Sequence, residues 1–530
     1  MRRPADNPGA TIELHPCTAL YLSILPKMLE AGKQMNTVKQ WSPWELTLRG
    51  PDGGNPFVDV QIQAEFTQGG NTVKSYGFYD GDGVYKVRFL PRWQGLWQYR
   101  IRANAALSGD LSGTLLCTAP APGSHGPVRV ARRWHFAYED GTAYAPIGTT
   151  CYAWIHQPAD LRAQTLDTLA QSPFNKIRMC VFPKYYDYNR EEPQRFPYER
   201  TQDGGWDYTR FHPAFFWQLE QCILSLCELG IQADIILFHP YDKWGFANMG
   251  APADDRYLRY IAARLAAYPN VWGSLANEYD LMELMTKSKT TEDWERFADI
   301  LMEYDPYGHL RSIHNCFGFY DHTRPWITHC SIQRQDVYKT AEYTDEWRSA
   351  YGKPVVIDEC GYEGNINHGW GNLPAQELVR RCWEGTVRGG YVGHGETYLH
   401  PQDILWWSKG GTLHGQSPAR MAFLRSILAD GPQDGLDPIS FGMAGWDLPC
   451  GGRQGEYYLF YFGFSQPCFR EFTLPQPGSY QVDVIDTWNM TIEALPQACQ
   501  GTFRVALPGR SYIAVRMRRL SPGRASSPHA

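Results

Sequence analysis

Between residues 145 and 395 the chain alternates eight short apolar runs with amphipathic helical segments, and few folds accept that rhythm. The runs cover 145–150, 176–182, 233–238, 271–276, 311–314, 328–332, 354–358 and 390–395. Helical patterns cover 159–171, 213–229, 254–268, 291–304, 340–351 and 375–388. The clearest of these, 213–229, sets Phe216, Leu219, Ile223, Leu226 and Leu229 on one face. A last helix opens with Ser417 as cap and Pro418 in its first turn. Strands that are apolar throughout belong to a parallel sheet covered on both faces. The expected class is therefore α/β, and eight strands with intervening helices predict a (β/α)8 TIM barrel over 125–430. A doubly wound open sheet is the runner-up. It lacks the Gly-x-Gly-x-x-Gly turn that would mark a dinucleotide site.

On either side the period changes to two. Val58-Asp-Val-Gln-Ile-Gln-Ala-Glu-Phe alternates apolar with polar residues, and Asp-Gly turns recur between such segments. This predicts an N-terminal β-sandwich over 35–120, ended by the linker Pro120-Ala-Pro-Gly-Ser-His-Gly-Pro. Tyr457-Tyr-Leu-Phe-Tyr-Phe and Ser479-Tyr-Gln-Val-Asp-Val-Ile-Asp predict a smaller C-terminal β-sandwich over 431–520. Residues 1–34 read as a leader with a short helix over 18–31. The Ser/Pro/Arg-rich tail, 521–530, reads as disordered.

A net charge of −6 over 530 residues gives no basic footprint for nucleic acid and no polybasic segment for a membrane. No apolar stretch is long enough to span a bilayer, and no secretory leader pattern opens the chain. The 13 cysteines are scattered like small buried hydrophobes, with no Cys-x-x-Cys pair. A reduced, cytoplasmic protein is expected. Aromatic residues make up 14%, including 19 Trp and 32 Tyr, which suits stacking on sugar faces but equally suits a core.

Two of the apolar runs stop at a glutamate: Asn270-Val-Trp-Gly-Ser-Leu-Ala-Asn277-Glu278 and Lys353-Pro-Val-Val-Ile-Asp358-Glu359. In an eight-stranded parallel barrel the C-terminal strand ends form the active face. Paired carboxylates there are the equipment for glycosidic cleavage, one donating a proton and the other ionised. The remaining strand ends are polar or aromatic too. They offer Trp154, Arg178, His239, His314, Gln333, Tyr362, Glu396 and Trp407 as substrate contacts beside Asn277. His239 and His314 serve equally well as hydrogen-bonded scaffold, and one of Trp406 and Trp407 suits the core.

Two rivals carry some weight. His394-x-Glu396, His400 and His414 form a loose cluster that would suit a metal-dependent barrel hydrolase, but the first strand lacks a His-x-His pair and no His-Glu-x-x-His occurs. No metal and no cofactor is therefore expected. A non-catalytic carbohydrate-binding or assembly protein would also use two flanking sandwiches. A serine hydrolase would need a Gly-x-Ser-x-Gly elbow, which is absent.

With Asn277-Glu278 ending the fourth strand and Glu359 the seventh, the chain resembles the clan A glycoside hydrolases. Over about residues 38–520 it is similar to their apiosidase-like group, a barrel between two β-sandwiches. The resemblance implies a retaining enzyme with Glu278 as acid/base and Glu359 as nucleophile, and Arg178 matches a clan position. Apiosidases proper can carry aspartate as acid/base, so the resemblance implies the chemistry rather than the sugar. The expected substrate is a small oligosaccharide or plant-type glycoside cleaved in exo fashion, with homo-oligomer contacts through the sandwiches.

Overall fold

The computed structural model describes residues 36–521 except 337, 443, 444, 475 and 476. The predicted leader, its helix over 18–31 and the tail after 521 lie outside the described residues. Those residues divide between Ser124 and His125 into two compact units.

In the first unit, strands Asn36–Lys39, Ser112–Thr118, Gly95–Ala103, Ile62–Gln68 and Asn71–Tyr76 form one sheet in that order. Trp44–Arg49, Val84–Phe89 and Phe78–Gly81 form a second. The alternation of the sequence explains their packing. Ile62, Ala64 and Phe66 are buried while Gln63 and Glu65 face out, and the Phe66 ring stacks on Phe89 of the other sheet at 4.0 Å.

The second unit contains eight short parallel strands: β1 (Gly148–Thr150), β2 (Lys176–Cys180), β3 (Gln232–Phe238), β4 (Val271–Ala276), β5 (Arg311–Ser312), β6 (Cys330–Gln333), β7 (Val355–Glu359) and β8 (Tyr391–Val392). β1 to β5 pair in sequence order, as do β6 to β8. Single parallel bridges join the two sets, His314 to Ser331 and Thr149 to His394. The hydrogen-bond order thus passes through all eight strands and returns to β1. β5 and β8 are shorter than the sequence pattern suggests, because beyond them pairing survives as those lone bridges.

Between the strands lie α1 (Ala159–Ala170), α2 (Pro213–Glu228), α3 (Ala251–Leu265), α4 (Tyr279–Leu284), α5 (Thr291–Tyr304), α6 (Thr344–Tyr351) and α7 (Ala375–Val387), with α8 (Ser417–Ala429) after β8. α2 buries Phe216, Leu219, Ile223 and Leu226, as its 3.6-residue pattern requires. Leu229, expected on the same face, is exposed just past the helix end. A small antiparallel sheet of Val128–Ala131, His135–Tyr138 and Ala143–Tyr144 closes the N-terminal side of the strands. Its Val128, Phe136 and Tyr144 pack on Trp272, Leu310 and Val356.

The strand interior is not wholly apolar. Lys176 Nζ lies 2.6 Å from Asp234 Oδ2 and 2.8 Å from Asp358 Oδ1. Arg178 Nη1 is 3.3 Å from the same Asp234 oxygen, and Ser331 Oγ donates to Asp358 at 2.5 Å. These residues are almost fully buried, so removing one member strands the others. Lys176→Met should cost about 3–5 kcal/mol in urea-unfolding measurements, the usual penalty for breaking a buried ion pair. A change near zero would show that the two aspartates are not ionised there.

After α8 the chain forms a six-stranded sheet, from Asp437–Pro438 to Thr491–Ala494, and a pair, Phe469–Thr473 with Thr502–Ala506. Phe460, Phe472, Val482, Val505 and Val515 share one core between them. All the described cysteines are free thiols. Among the described residues no helix is long and apolar enough to cross a membrane.

Candidate active site

Glu278 lies two residues past the end of β4 and Glu359 is the last residue of β7. Both line a cleft of about 840 Å³, together with Asn277, Gln333, Tyr362 and Trp407. Glu278 adopts a left-handed backbone, φ 54° and ψ 55°, at the start of α4, a conformation that costs about 1–3 kcal/mol for a residue with a side chain. Asp280, two residues on, accepts the backbone N–H groups of Cys316, Phe317 and Gly318 at 2.6, 2.7 and 2.9 Å. This ties the turn carrying Glu278 to the loop after β5.

Each glutamate has its own tyrosine. The Tyr241 hydroxyl donates to Glu278 Oε2, and the Tyr152 hydroxyl donates to Glu359 Oε1. Asn277 Oδ1 accepts from Arg178 Nη2 at 3.3 Å and lies 3.2 Å from the Tyr152 hydroxyl. That occupies the amide oxygen and leaves the NH2 group toward the cleft. Gln333 Oε1 and Trp407 Nε1 are buried with no protein partner among the described residues, as expected where a ligand completes the hydrogen bonding. Gly395 has to be glycine, because a Cβ there would stand 2.1 Å from the Tyr362 ring.

Burial pushes the Glu359 carboxyl up, to about 7, and the neighbouring Glu278 charge adds to it. The Tyr152 hydrogen bond and the Lys184 and Arg178 charges pull the other way. Because the folded value lies above the unfolded one, this carboxyl's contribution to stability is intact below about pH 4.5 and is lost as pH rises through about 7. Glu359→Gln should therefore leave unfolding unchanged near pH 4 and stabilise the protein by up to about 3 kcal/mol near pH 8. A variant no more stable than wild type in alkali would contradict the buried charge.

The other residues singled out in the sequence divide. Arg178 lies beneath the cleft, hydrogen-bonded to Ser274 Oγ at 3.3 Å as well as to Asn277. His314 places Nε2 3.9 Å from Glu359 Oε1, and burial holds its imidazole well below its usual range. Trp154, expected as a sugar contact, is instead fully buried against α1, with Nε1 donating to Arg162 O. His239 is buried too, its Nε2 3.1 Å from Phe182 O. Glu396 does not reach the cleft either. Its strand, Glu396–Thr397, pairs with Glu363–Gly364, and its oxygens accept the N–H groups of His414 and Gly415 at 2.5 and 2.8 Å.

Glu363, His394 and Glu396 each offer a ligand atom within 4.8 Å of the others. The two carboxylates are largely committed, while His394 Nδ1 meets Thr149 Oγ1 and its Nε2 has no partner among the described residues. Glu363 accepts from Tyr398, from the Gln416 N–H and from both the N–H and hydroxyl of Ser417. Burial also pushes Glu396 up to about 7, so the donor set suits a clamp on the turn entering α8 better than a cation. Tyr152, Lys184, Tyr241 and Trp370 also line the cleft, and none of them carries a motif that assigns it a role from sequence. Tyr152 and Tyr241 fall two and three residues past the ends of predicted strands, the one signal that marks them.

The chain belongs to the apiosidase-like catalytic domain family, whose model matches residues 131–425. Residues 37–104 and 446–518 match two domains of unknown function, DUF5060 and DUF5605. A crystal structure from Bacteroides vulgatus, provisionally named a glycoside hydrolase, is 36% identical to this chain. The match covers 92% of this chain and 100% of that one, with a TM-score of 0.85. A family 5 glycoside hydrolase from the same species matches at 14% identity and TM-score 0.57, over 74% of this chain and 94% of its own, which speaks to the fold alone. Among curated proteins, none matches significantly. Family and relatives together support a glycosidase.

Proposed function

We propose that this chain is a retaining glycoside hydrolase on a (β/α)8 barrel flanked by two β-sandwiches. Glu359 is the nucleophile and Glu278 the acid/base. The observation that carries this reading is the pair of strand-ending glutamates in one cleft, each held by a separate tyrosine. The cyclic order of eight parallel strands supports the barrel, since the site lies at their C-terminal ends.

The donors divide the roles. Glu359 sits among the Tyr152 hydroxyl and the Arg178 and Lys184 charges, which favour its ionised form. With those groups gathered on Glu359, Glu278 is assigned the role of proton donor. In the first step a Glu359 oxygen bonds to the anomeric carbon as the glycosidic C–O bond breaks and the Glu278 proton passes to the leaving oxygen. In the second, Glu278 takes a proton from water, whose oxygen displaces Glu359 from the same carbon. The free NH2 of Asn277 is placed to hydrogen-bond the sugar hydroxyl beside the reacting centre.

Tyr152, Tyr362 and Trp407 wall one end of the cleft, with Trp370 packed on them. At the other, Met285 and Phe317 stand exposed. That asymmetry favours exo action, one sugar inside and the remainder outside. Small oligosaccharides or plant-type glycosides met in the cytoplasm fit this reading. A panel of aryl pentosides and hexosides tests it. Release of the phenol from at least one is expected, and no release from any would contradict the assignment.

A further inference from the structure

Lys184 stands in the loop four residues past β2, and its side chain enters the floor of the cleft. Its ammonium lies over four aromatic rings: Tyr152 at 3.9 Å from the centroid, Tyr241 at 4.4 Å, Trp407 at 4.9 Å and Tyr186 at 5.2 Å. The residue is only 4% exposed. Among the described residues no acceptor lies within hydrogen-bonding distance of Nζ. Ring faces attract a cation but accept no conventional hydrogen bond, so three N–H donors remain to be used. A buried ammonium left in that state is costly, and its open side is the cleft.

The two nearest rings add a second point. Tyr152 and Tyr241 are the tyrosines whose hydroxyls hold Glu359 and Glu278. The ammonium is therefore wedged between the supports of both carboxylates, and its charge acts on each.

We propose that Lys184 is the cation that binds the glycone, donating to a neutral hydroxyl oxygen of the bound sugar while its charge favours the carboxylate form of Glu359. The sugar contact rests on reading the cleft as a glycosidase site; the coupling to Glu359 does not. A neutral sugar follows from the surroundings. An acidic substituent within reach of Nζ would also stand in the field of Glu278 and Glu359, and the repulsion would offset the gain. Facing Lys184 are Cys180, Glu278 and Glu359, with Arg178 as the opposing cation. His239 lies close enough to feel its charge and is itself held neutral by burial. Around Glu359 the other titratable and charged neighbours include the Tyr152 and Tyr362 hydroxyls, Arg178 and the His314 ring.

Carbon-13 NMR of the full-length protein, labelled at glutamate carboxyl and lysine Cε positions, tests the coupling without a substrate. Lys184→Arg assigns the lysine signal and Glu359→Gln the carboxyl signal. Lys184→Met removes a cation, so the Glu359 midpoint should rise by about one unit. Glu359→Gln removes an anion, so the Lys184 midpoint should fall by the same amount, since linkage is reciprocal. A midpoint that stays put in either experiment overturns the coupling. If Lys184→Met does not fold, the near-isosteric Glu359→Gln decides alone.

The sugar contact is read from the Lys184 Cε signal during titration with free neutral pentoses and hexoses, matched against glucuronic and galacturonic acids. At least one neutral sugar should move it while the acids do not. A response to the acids alone, or to no sugar, overturns the contact. Failure of every aryl glycoside to be cleaved would instead count against the glycosidase reading and leave the two midpoints to stand on their own.

Discussion

Glu359→Gln should lose turnover by about 10⁵-fold or more in kcat, the scale on which covalent catalysis fails when its nucleophile is removed. The amide cannot attack the anomeric carbon, yet it keeps the size of the carboxyl and can still accept from the Tyr152 hydroxyl. Sugar affinity should therefore survive within a few-fold, as measured by titration calorimetry with a glycoside that wild type cleaves. The same variant is expected to be the more stable protein in alkali, because it no longer buries an ionising group beside Glu278. Lost turnover with gained stability is hard to obtain from a merely structural glutamate. A variant that retains turnover would move the nucleophile elsewhere.

Glu278→Ala has a different expected profile, set by the leaving group. With a poor leaving group, whose oxygen must be protonated as it departs, the loss should be about 10²–10⁴-fold. With dinitrophenolate, which leaves without a proton, the first step should be nearly unimpaired and the glycosyl-enzyme should accumulate. Azide needs no general base, so adding it should restore turnover and yield a glycosyl azide of the substrate's own configuration. Equal losses with both leaving groups, unrelieved by azide, would remove Glu278 from the acid/base role.

The strand–helix alternation was legible because period and apolar run length are local properties, and β2, β3, β4 and β7 fall where the runs lie. Glu278 and Glu359 were legible for the same reason, since a charge that ends an apolar run is visible without knowing what surrounds it. The path of the chain beyond a strand end is less local. Trp154 lies two residues past Tyr152, but a 3-10 turn over Trp154–His156 carries its ring into α1. Glu396 comes soon after β8, but Gly395 lets the backbone pass the Tyr362 ring, and the chain then pairs with Glu363–Gly364. Lys184 was visible only as one letter in a tyrosine-rich loop. Its cage draws rings from the segments after β1, β2 and β3 and from Trp407, and no spacing rule brings those four together.

The pair of carboxylates makes one claim that a single spectrum can decide. Proton NMR, recorded within the first minutes of hydrolysis of a cleaved aryl glycoside and before the free sugar mutarotates, shows which anomer is released first. Two displacements at one carbon, through Glu359 and then water, predict the configuration of the substrate. Release of the opposite anomer would mean direct attack by water, with the carboxylates ~6.5–9.5 Å apart, and would contradict Glu359 as nucleophile.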